Sequence, residues 1–313
     1  MNKLGVVFVG QGSQYHNMSL DFLETYSDLQ TIFDVGKIVL GYDPKNIIGT
    51  VNNQMHETLY TQPMVLLASL VAYEAFMKLE PNISAIAGFS LGEYSAYYAS
   101  GVLDIDVVIK IIQRRAELMD QAQAKQPGKM AAVLGLNKNQ IEEIVASFQD
   151  TRIVVANYNA PLQFVISGLE SLVEKAIEKA KDLGAKRAVY LNVSGAFHSP
   201  LMSSAAQSLF EEVANIPVHT PTKPLFLNTT GKRHQEEPLK EVMRDQLMSS
   251  VNFTKMIESM KKEGITHIIE IGPGRVLSGL IKKIDTTIHV ENIDNKEDLI
   301  RVKGWLEDNG FTK

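Results

Sequence analysis

Not one of the 313 residues is a cysteine. Disulfides, thiolate nucleophiles and cysteine-ligated zinc or iron–sulfur centres are therefore excluded. Long apolar runs are missing too: the best, Met64 to Tyr73, falls well short of the ~20 residues that span a bilayer. The N-terminal Met1-Asn2-Lys3 and apolar Leu4–Val9 run into Gly10-Gln11-Gly12-Ser13-Gln14 without a small-residue cleavage site, so a buried first strand is expected rather than a signal peptide. Nor is there an excess of positive charge. Thirty-one Lys and Arg against 36 Asp and Glu leave a net charge of −5, which gives no reason to expect nucleic acid or an anionic membrane as main partner. Repeats and low-complexity tracts are absent. What is present, 45% hydrophobic and 21% charged residues, is the composition of an ordinary soluble globule, long enough for one large core and a smaller domain. A cytoplasmic monomer without a metal is the expectation.

The pattern is α/β. Leu4–Val9 reads as a central parallel strand ended by a Gly-rich loop. Thr61-Gln62-Pro63 opens a helix, Met64 to Leu79, that is apolar on most sides and so buried. Ile83–Ala87 is a strand, Leu91–Ser100 a helix stopped by Gly101, and Asp104 caps a long helix to about Ala124. After Gln126-Pro127-Gly128 the grammar changes. Strand Met130–Leu136, helix Asn139–Phe148, strands Ile153–Asn157 and Phe164–Gly168, helix Ser171–Leu183 and strand Arg187–Val193 give the order βαββαβ, a ferredoxin-like arrangement. Alternation then resumes: helix Pro200–Ala214 with Ser199 as N-cap, strand Lys223–Asn228, helices Leu239–Leu247 and Phe253–Glu263, strand His267–Ile271, helix Val276–Ile284, strand Ile288–Ile293 and helix Lys296–Asn309. The expected organisation is a discontinuous large domain, 1–126 and 198–313, around a mostly parallel sheet, with a small domain, 127–197, inserted.

The sharpest local signal is Gly88-Phe89-Ser90-Leu91-Gly92 between a strand and a helix. Glycines two before and two after the serine allow a strained turn that lifts the hydroxyl clear of the sheet beside a helix N-terminus, as in a nucleophile elbow. A plain strand–helix turn with packing glycines is the competing explanation, so context has to decide. A serine nucleophile needs a base. Of seven histidines, His198 lies in a loop, Gly195-Ala196-Phe197-His198-Ser199-Pro200, that returns from the small domain to the main sheet. An oxyanion hole needs two donors: the N–H of Leu91, which follows the serine, and one from the loop after strand one, at Gln11. That loop has neither Walker A nor Gly-x-Gly-x-x-Gly spacing, and His56-Glu57-Thr58-Leu59-Tyr60 lacks the second histidine of a zinc protease. Arg115 shares a helix face with Ile112, Ala116 and Met119. A buried arginine there requires an anion, either a bound one or a structural carboxylate.

Taken in order, Gly10-Gln11-Gly12-Ser13-Gln14, Gln62-Pro63, Gly88-x-Ser90-Leu91-Gly92-Glu93, Gln113-x-Arg115, Asn157-x-Asn159, Ala196-Phe197-His198 and Gly272-Pro273-Gly274-x-Val276-Leu277 resemble the malonyl-CoA:acyl carrier protein transacylases of fatty acid synthesis, over almost the whole chain. The resemblance implies an α/β-hydrolase-like large domain with a ferredoxin-like insert. It implies Ser90 as the acylated nucleophile, His198 as its base, the N–H groups of Gln11 and Leu91 as the oxyanion hole, and Arg115 as the clamp for the malonyl carboxylate. Phe197, Phe89, Gln62, Asn159 and Met119 complete the implied substrate-binding set. The family orients its histidine with a main-chain carbonyl, placed here near Asn252. Two positions depart from the family's pattern: Phe89 stands where histidine is usual, and Asn252 where Gln or Arg is common. The implied reaction is ping-pong, with malonyl-CoA and acyl carrier protein as partners and no cofactor beyond the coenzyme A thioester. Lys282, Lys283, Arg275, Lys186 and Arg187 are candidate contacts for an acidic carrier. The alternatives are a serine hydrolase or thioesterase acting on acyl thioesters, and a non-catalytic carrier-docking subunit.

Overall fold

The computed structural model describes residues 2–50 and 53–312; Met1, Val51, Asn52 and Lys313, which fall within the expected large domain, lie outside the described residues. The chain opens with strand β1 (Lys3–Phe8), then three short helices that the sequence pattern left unassigned, α1 (Phe22–Thr25), α2 (Gln30–Leu40) and α3 (Pro44–Ile48), and the long α4 (Thr58–Met77). Strand β2 (Ile83–Gly88) leads into α5 (Gly92–Ala99) and α6 (Ile105–Lys125). Then come β3 (Lys129–Leu134), α7 (Lys138–Ala146), β4 (Ile153–Ala160), β5 (Gln163–Gly168), α8 (Glu170–Asp182) and β6 (Arg187–Tyr190). The remainder is α9 (Ser203–Val213), β7 (Phe226–Leu227), β8 (Lys232–Arg233), α10 (Leu239–Gln246), α11 (Phe253–Lys262), β9 (Ile265–Ile271), α12 (Val276–Ile284), β10 (His289–Ile293) and α13 (Lys296–Asp308).

Two sheets organise these elements. The first is parallel throughout, in the order β10-β9-β1-β2. The two strands β1 and β2 read as near-continuous apolar runs because helices cover both faces; Leu4, Val6, Val7 and Phe8 are all fully buried. The second, in the order β4-β5-β3-β6, is antiparallel throughout. It has its own apolar core, drawn from residues between Ala131 and Ala188, separate from the large one. The two layers are stitched together where β4 meets the segment before α11. Val251 N–H donates to Ala156 O at 2.8 Å and Tyr158 N–H to Val251 O at 3.0 Å.

Three expected elements differ. Helix α4 starts at Thr58, so Pro63 is its sixth residue and not an opening residue. The hydroxyl of Thr61 donates to Glu57 O and Met55 O, which holds the early turn, and the proline removes only one ladder donor near the helix end. The expected strand Lys223–Asn228 shrinks to β7, paired with β8. Pro224 has no N–H to give the sheet; its carbonyl instead accepts from Ile86 N–H at 2.8 Å, and Leu225 makes a single parallel bridge to β2. The expected helix Pro200–Ala214 divides into a 3₁₀ turn, Pro200–Met202, and α9, with Ser199 Oγ accepting from Leu201 N–H. Among the described residues, no helix is long and apolar enough to cross a membrane.

Candidate active site

Ser90 sits where β2 ends, with φ +51°. A non-glycine residue in this region is strained, by ~1–3 kcal/mol, and the surrounding contacts must hold it there. The flanking glycines are required by contact. A Cβ on Gly88 would lie 2.0 Å from Gly92 O, and one on Gly92 would lie 2.3 Å from Phe8 O. The second clash is with β1 rather than within the turn, so Gly92 lets the elbow press against the neighbouring strand.

The loop before α9 brings His198 across. His198 Nε2 lies 2.7 Å from Ser90 Oγ, and His198 Nδ1 lies 2.9 Å from Gln246 O. A carbonyl only accepts, so Nδ1 carries the proton and Nε2 is free to take one from the serine. Burial, then the positive charge of Arg115, lower the imidazole pKa from 6.5 to about 4. The base is thus neutral across the physiological range. The orienting carbonyl belongs to Gln246, six residues before the position expected from the resemblance. Asn252 instead spends its amide on Asn228 O, Thr229 O and Ser250 O, which pins the start of α11 and does not reach the histidine.

Arg115 is 1% exposed on α6. Among the described residues it forms no ion pair; Nη1 donates to Gln62 Oε1 at 2.6 Å and Nη2 to Gln246 Oε1 at 3.1 Å. Its guanidinium carbon stands 5.4 Å from the centre of the Tyr94 ring, and its buried Nε–H has no hydrogen-bond partner among the described residues. A cation hydrogen-bonded only to neutral amides is compensated within the protein at a distance, by the buried Glu93 carboxylate, and not by a direct ion pair. Among the described residues, no structural carboxylate pairs directly with Arg115, which leaves that place to a bound anion.

These groups border one cavity of about 290 Å³, lined by Gln11 and its neighbours, Phe89, Ser90, Arg115, Met119, Asn157, Asn159, Phe197, His198, Val276 and Leu280, among others. Asn159 Oδ1 is buried without a hydrogen-bond partner among the described residues. Phe89 packs edge to face on Phe253, with centroids 5.3 Å apart. Leu91 begins the turn into α5. No hydrogen bond within the described residues claims the N–H of Leu91 or of Gln11. Gln62 is fully buried and does not line the cavity. It stands behind Arg115, its Nε2 directed at Met119 Sδ, 3.4 Å away, because α4 is enclosed on every side. That placement corrects the expectation of direct substrate contact.

Two functional residues went unread in the sequence. Gln246 touches three of the groups above: its carbonyl meets His198, its Oε1 meets Arg115, and its Nε2 donates to Ser90 O at 3.0 Å. Asn228 reaches the elbow from the end of β7. Single amides at the ends of elements have no periodicity to betray them. Lys283, on the cavity-lining helix α12, donates to Gln163 Oε1 at 3.0 Å. Arg275 lies 3.7 Å from Asp298, and Lys186, Arg187 and Lys282 are exposed.

An acyl transferase domain model matches residues 6–299. The chain is 37% identical over 311 residues to a malonyl CoA-acyl carrier protein transacylase of Staphylococcus aureus, covering 98% of this chain and 99% of that one. It resembles the crystal structure of MCAT from Streptococcus pneumoniae with a TM-score of 0.92 and 38% identity, covering 97% of this chain and all of the other. It also resembles PlMCAT in complex with AntF, a type II polyketide synthase acyl-carrier protein, with a TM-score of 0.93 and 32% identity over 97% and 99% of the two chains.

Proposed function

Because the chain belongs to the acyl transferase family, we propose that it transfers malonyl groups from malonyl-CoA to the phosphopantetheine thiol of acyl carrier protein, through an ester on Ser90. The observation that carries this reading is Arg115: a buried cation in no direct ion pair among the described residues, in the same cavity as the Ser90–His198 pair. A hydrolase of neutral acyl groups has no use for such a charge.

Ser90 Oγ attacks the thioester carbonyl while its proton passes to His198 Nε2. The tetrahedral oxyanion takes hydrogen bonds from the N–H groups of Leu91 and Gln11. The C–S bond breaks, and the coenzyme A thiolate receives the proton from His198. The carrier's thiol then enters by the same steps in reverse order, with its proton going to His198 and the serine recovering one. Arg115 holds the malonyl carboxylate throughout. Each charge-assisted bond is worth ~1.5–3 kcal/mol, which favours malonyl over acetyl. Phe197, Phe89, Met119 and Asn159 border the acyl group, and the reaction needs no cofactor beyond the coenzyme A thioester.

The same proposal assigns residues 127–197 to a ferredoxin-like domain inserted in an α/β-hydrolase-like catalytic domain, 1–126 and 198–313. Its βαββαβ order, antiparallel pairing and separate core support this. An acidic carrier docks at the cavity mouth on α12, where Val276 is 57% exposed and Lys282 and Lys283 follow.

Incubation with malonyl-CoA and peptide mass spectrometry test the reading. Malonate is expected on the peptide carrying Ser90 and absent in Ser90→Ala, with release dependent on carrier protein. Rapid free malonate without carrier would make the protein a hydrolase, and an unlabelled serine would remove the covalent step.

A further inference from the structure

The strained backbone at Ser90 has a specific restraint. Ser90 N–H donates to Asn228 Oδ1 at 2.8 Å, and Asn228 Nδ2 donates to Gly88 O at 2.8 Å. One amide thus clamps the turn on both sides of Phe89, accepting from one peptide and donating to another. The amide has no freedom to flip. Glu93 is fully buried on α5, and its Oε2 accepts from Asn228 N–H at 2.6 Å and also from Nδ2. A flipped amide would set Oδ1 against that carboxylate and against Gly88 O, leaving acceptors facing acceptors. The other carboxylate oxygen takes the Tyr97 hydroxyl at 2.6 Å, so Glu93 is itself held on both oxygens.

We infer that Asn228, fixed by Glu93, is a positioning residue that holds the nucleophile: it keeps the Ser90 peptide left-handed and so keeps Oγ in line with His198. The inference rests on Ser90 being the acylated group. Two consequences follow from the bonding. The Ser90 N–H is already occupied, so it is withdrawn from the oxyanion hole, and the open donors are those of Leu91 and Gln11. The second is a loss without the clamp. Freed, the Ser90 N–H and Gly88 O would allow the turn to relax toward right-handed backbone, which moves Oγ out of the 2.7 Å contact with His198 Nε2. The cost would appear in chemistry and not in substrate affinity, because Asn228 is not among the residues lining the cavity.

The experiment compares wild type with Asn228→Ala in single-turnover malonylation, and in covalent labelling of Ser90 by a small serine-directed sulfonyl fluoride, which needs no malonyl group. Malonyl-CoA dissociation constants are measured in the Ser90→Ala background, with and without Asn228→Ala. The expected result is a fall of about 100-fold or more in malonylation and a parallel fall in sulfonyl labelling, with the dissociation constant changed less than about two-fold. Unchanged rates, or a loss carried wholly by the dissociation constant, would overturn the inference. If Asn228→Ala does not fold, Asn228→Ser serves: its single hydroxyl replaces one of the two bonds and is expected to give an intermediate loss. Glu93→Gln should slow labelling in the wild type and add little to Asn228→Ala, whereas additive losses would break the link between the two residues. Should wild type itself go unlabelled at Ser90, the nucleophile assignment fails, a result separate from equal labelling of wild type and variant.

Discussion

Arg115 is the residue whose removal discriminates most among readings of the site. Its direct partners among the described residues are two amide oxygens and a ring face, with the buried Glu93 carboxylate acting only at a distance, so a malonyl carboxylate would be its one direct ion pair. Arg115→Ala is expected to lower malonyl transfer by about 10²- to 10⁴-fold, the loss of two charge-assisted hydrogen bonds, while acetyl transfer changes little. Side-by-side kcat/KM values for the two thioesters check this, and an unchanged ratio would remove Arg115 from the clamp. The same substitution carries a second readout. Burial first and the Arg115 charge second hold His198 at about 4. A base works only when neutral, so acylation in the wild type is lost as pH falls toward that value. Without the neighbouring cation the imidazole binds its proton more readily, and the acid limb moves to higher pH. A pH profile of acetyl-CoA acylation in Arg115→Ala against wild type shows the direction.

At the scale of elements, the elbow joins β2, α5 and β1 so closely that side chains are excluded at two points. Gly88→Ala would drive a Cβ to within 2.0 Å of Gly92 O, and both atoms are main chain or directly attached to it. Urea denaturation should show a loss of upwards of about 3 kcal/mol, since backbone cannot move aside as a side chain would. Gly279 in α12 is the internal contrast: a Cβ there meets nothing within 4 Å. Gly279→Ala should be neutral or stabilise by about 0.5–1 kcal/mol, because it only stiffens a helical residue. The contrast also marks what the sequence can and cannot show. Gly88, Ser90 and Gly92 are legible because a tight turn restricts residue type at fixed spacing. The apolar runs of β1 and β2 are legible because burial on both faces leaves few polar positions, and β9 is legible through its isoleucines although Thr266, His267 and Glu270 interrupt them. Helices α1 and α3, 4 and 5 residues long, are too short to show a period; α2, 11 residues, does carry one in Ile32, Phe33, Gly36 and Leu40 with left-handed Gly41 at its end. Gln246 and Asn228 are illegible for another reason: a single amide at the end of an element, whatever its contacts in space, leaves no pattern along the chain. The resemblance pointed to a carbonyl near Asn252, and only coordinates separate that position from Gln246.

For the whole molecule, the buried base links function to stability. Above its ordinary value of 6.5, His198 is neutral in both folded and unfolded chains and contributes in full. As pH falls below 6.5 the unfolded chain takes up a proton that the folded chain refuses until about 4, so stability is lost across that window. A difference of this size is worth about 3 kcal/mol. His267 acts in the same direction, its pKa lowered by burial and by His289, whose ring stacks on it at 4.7 Å. Buried Glu93 and Glu270 act the opposite way, because burial raises their carboxyls and favours the protonated folded form in acid. The net slope therefore mixes signs, and a difference measurement isolates the histidine. His198→Gln keeps a neutral polar side chain and removes the titration. Urea midpoints measured from pH 7.5 to 4.5 should fall more steeply for wild type than for His198→Gln, with the two curves drawing together in acid. Parallel curves would mean that His198 keeps an ordinary proton affinity in the folded protein, and the neutral, pre-set base would have to be abandoned along with them.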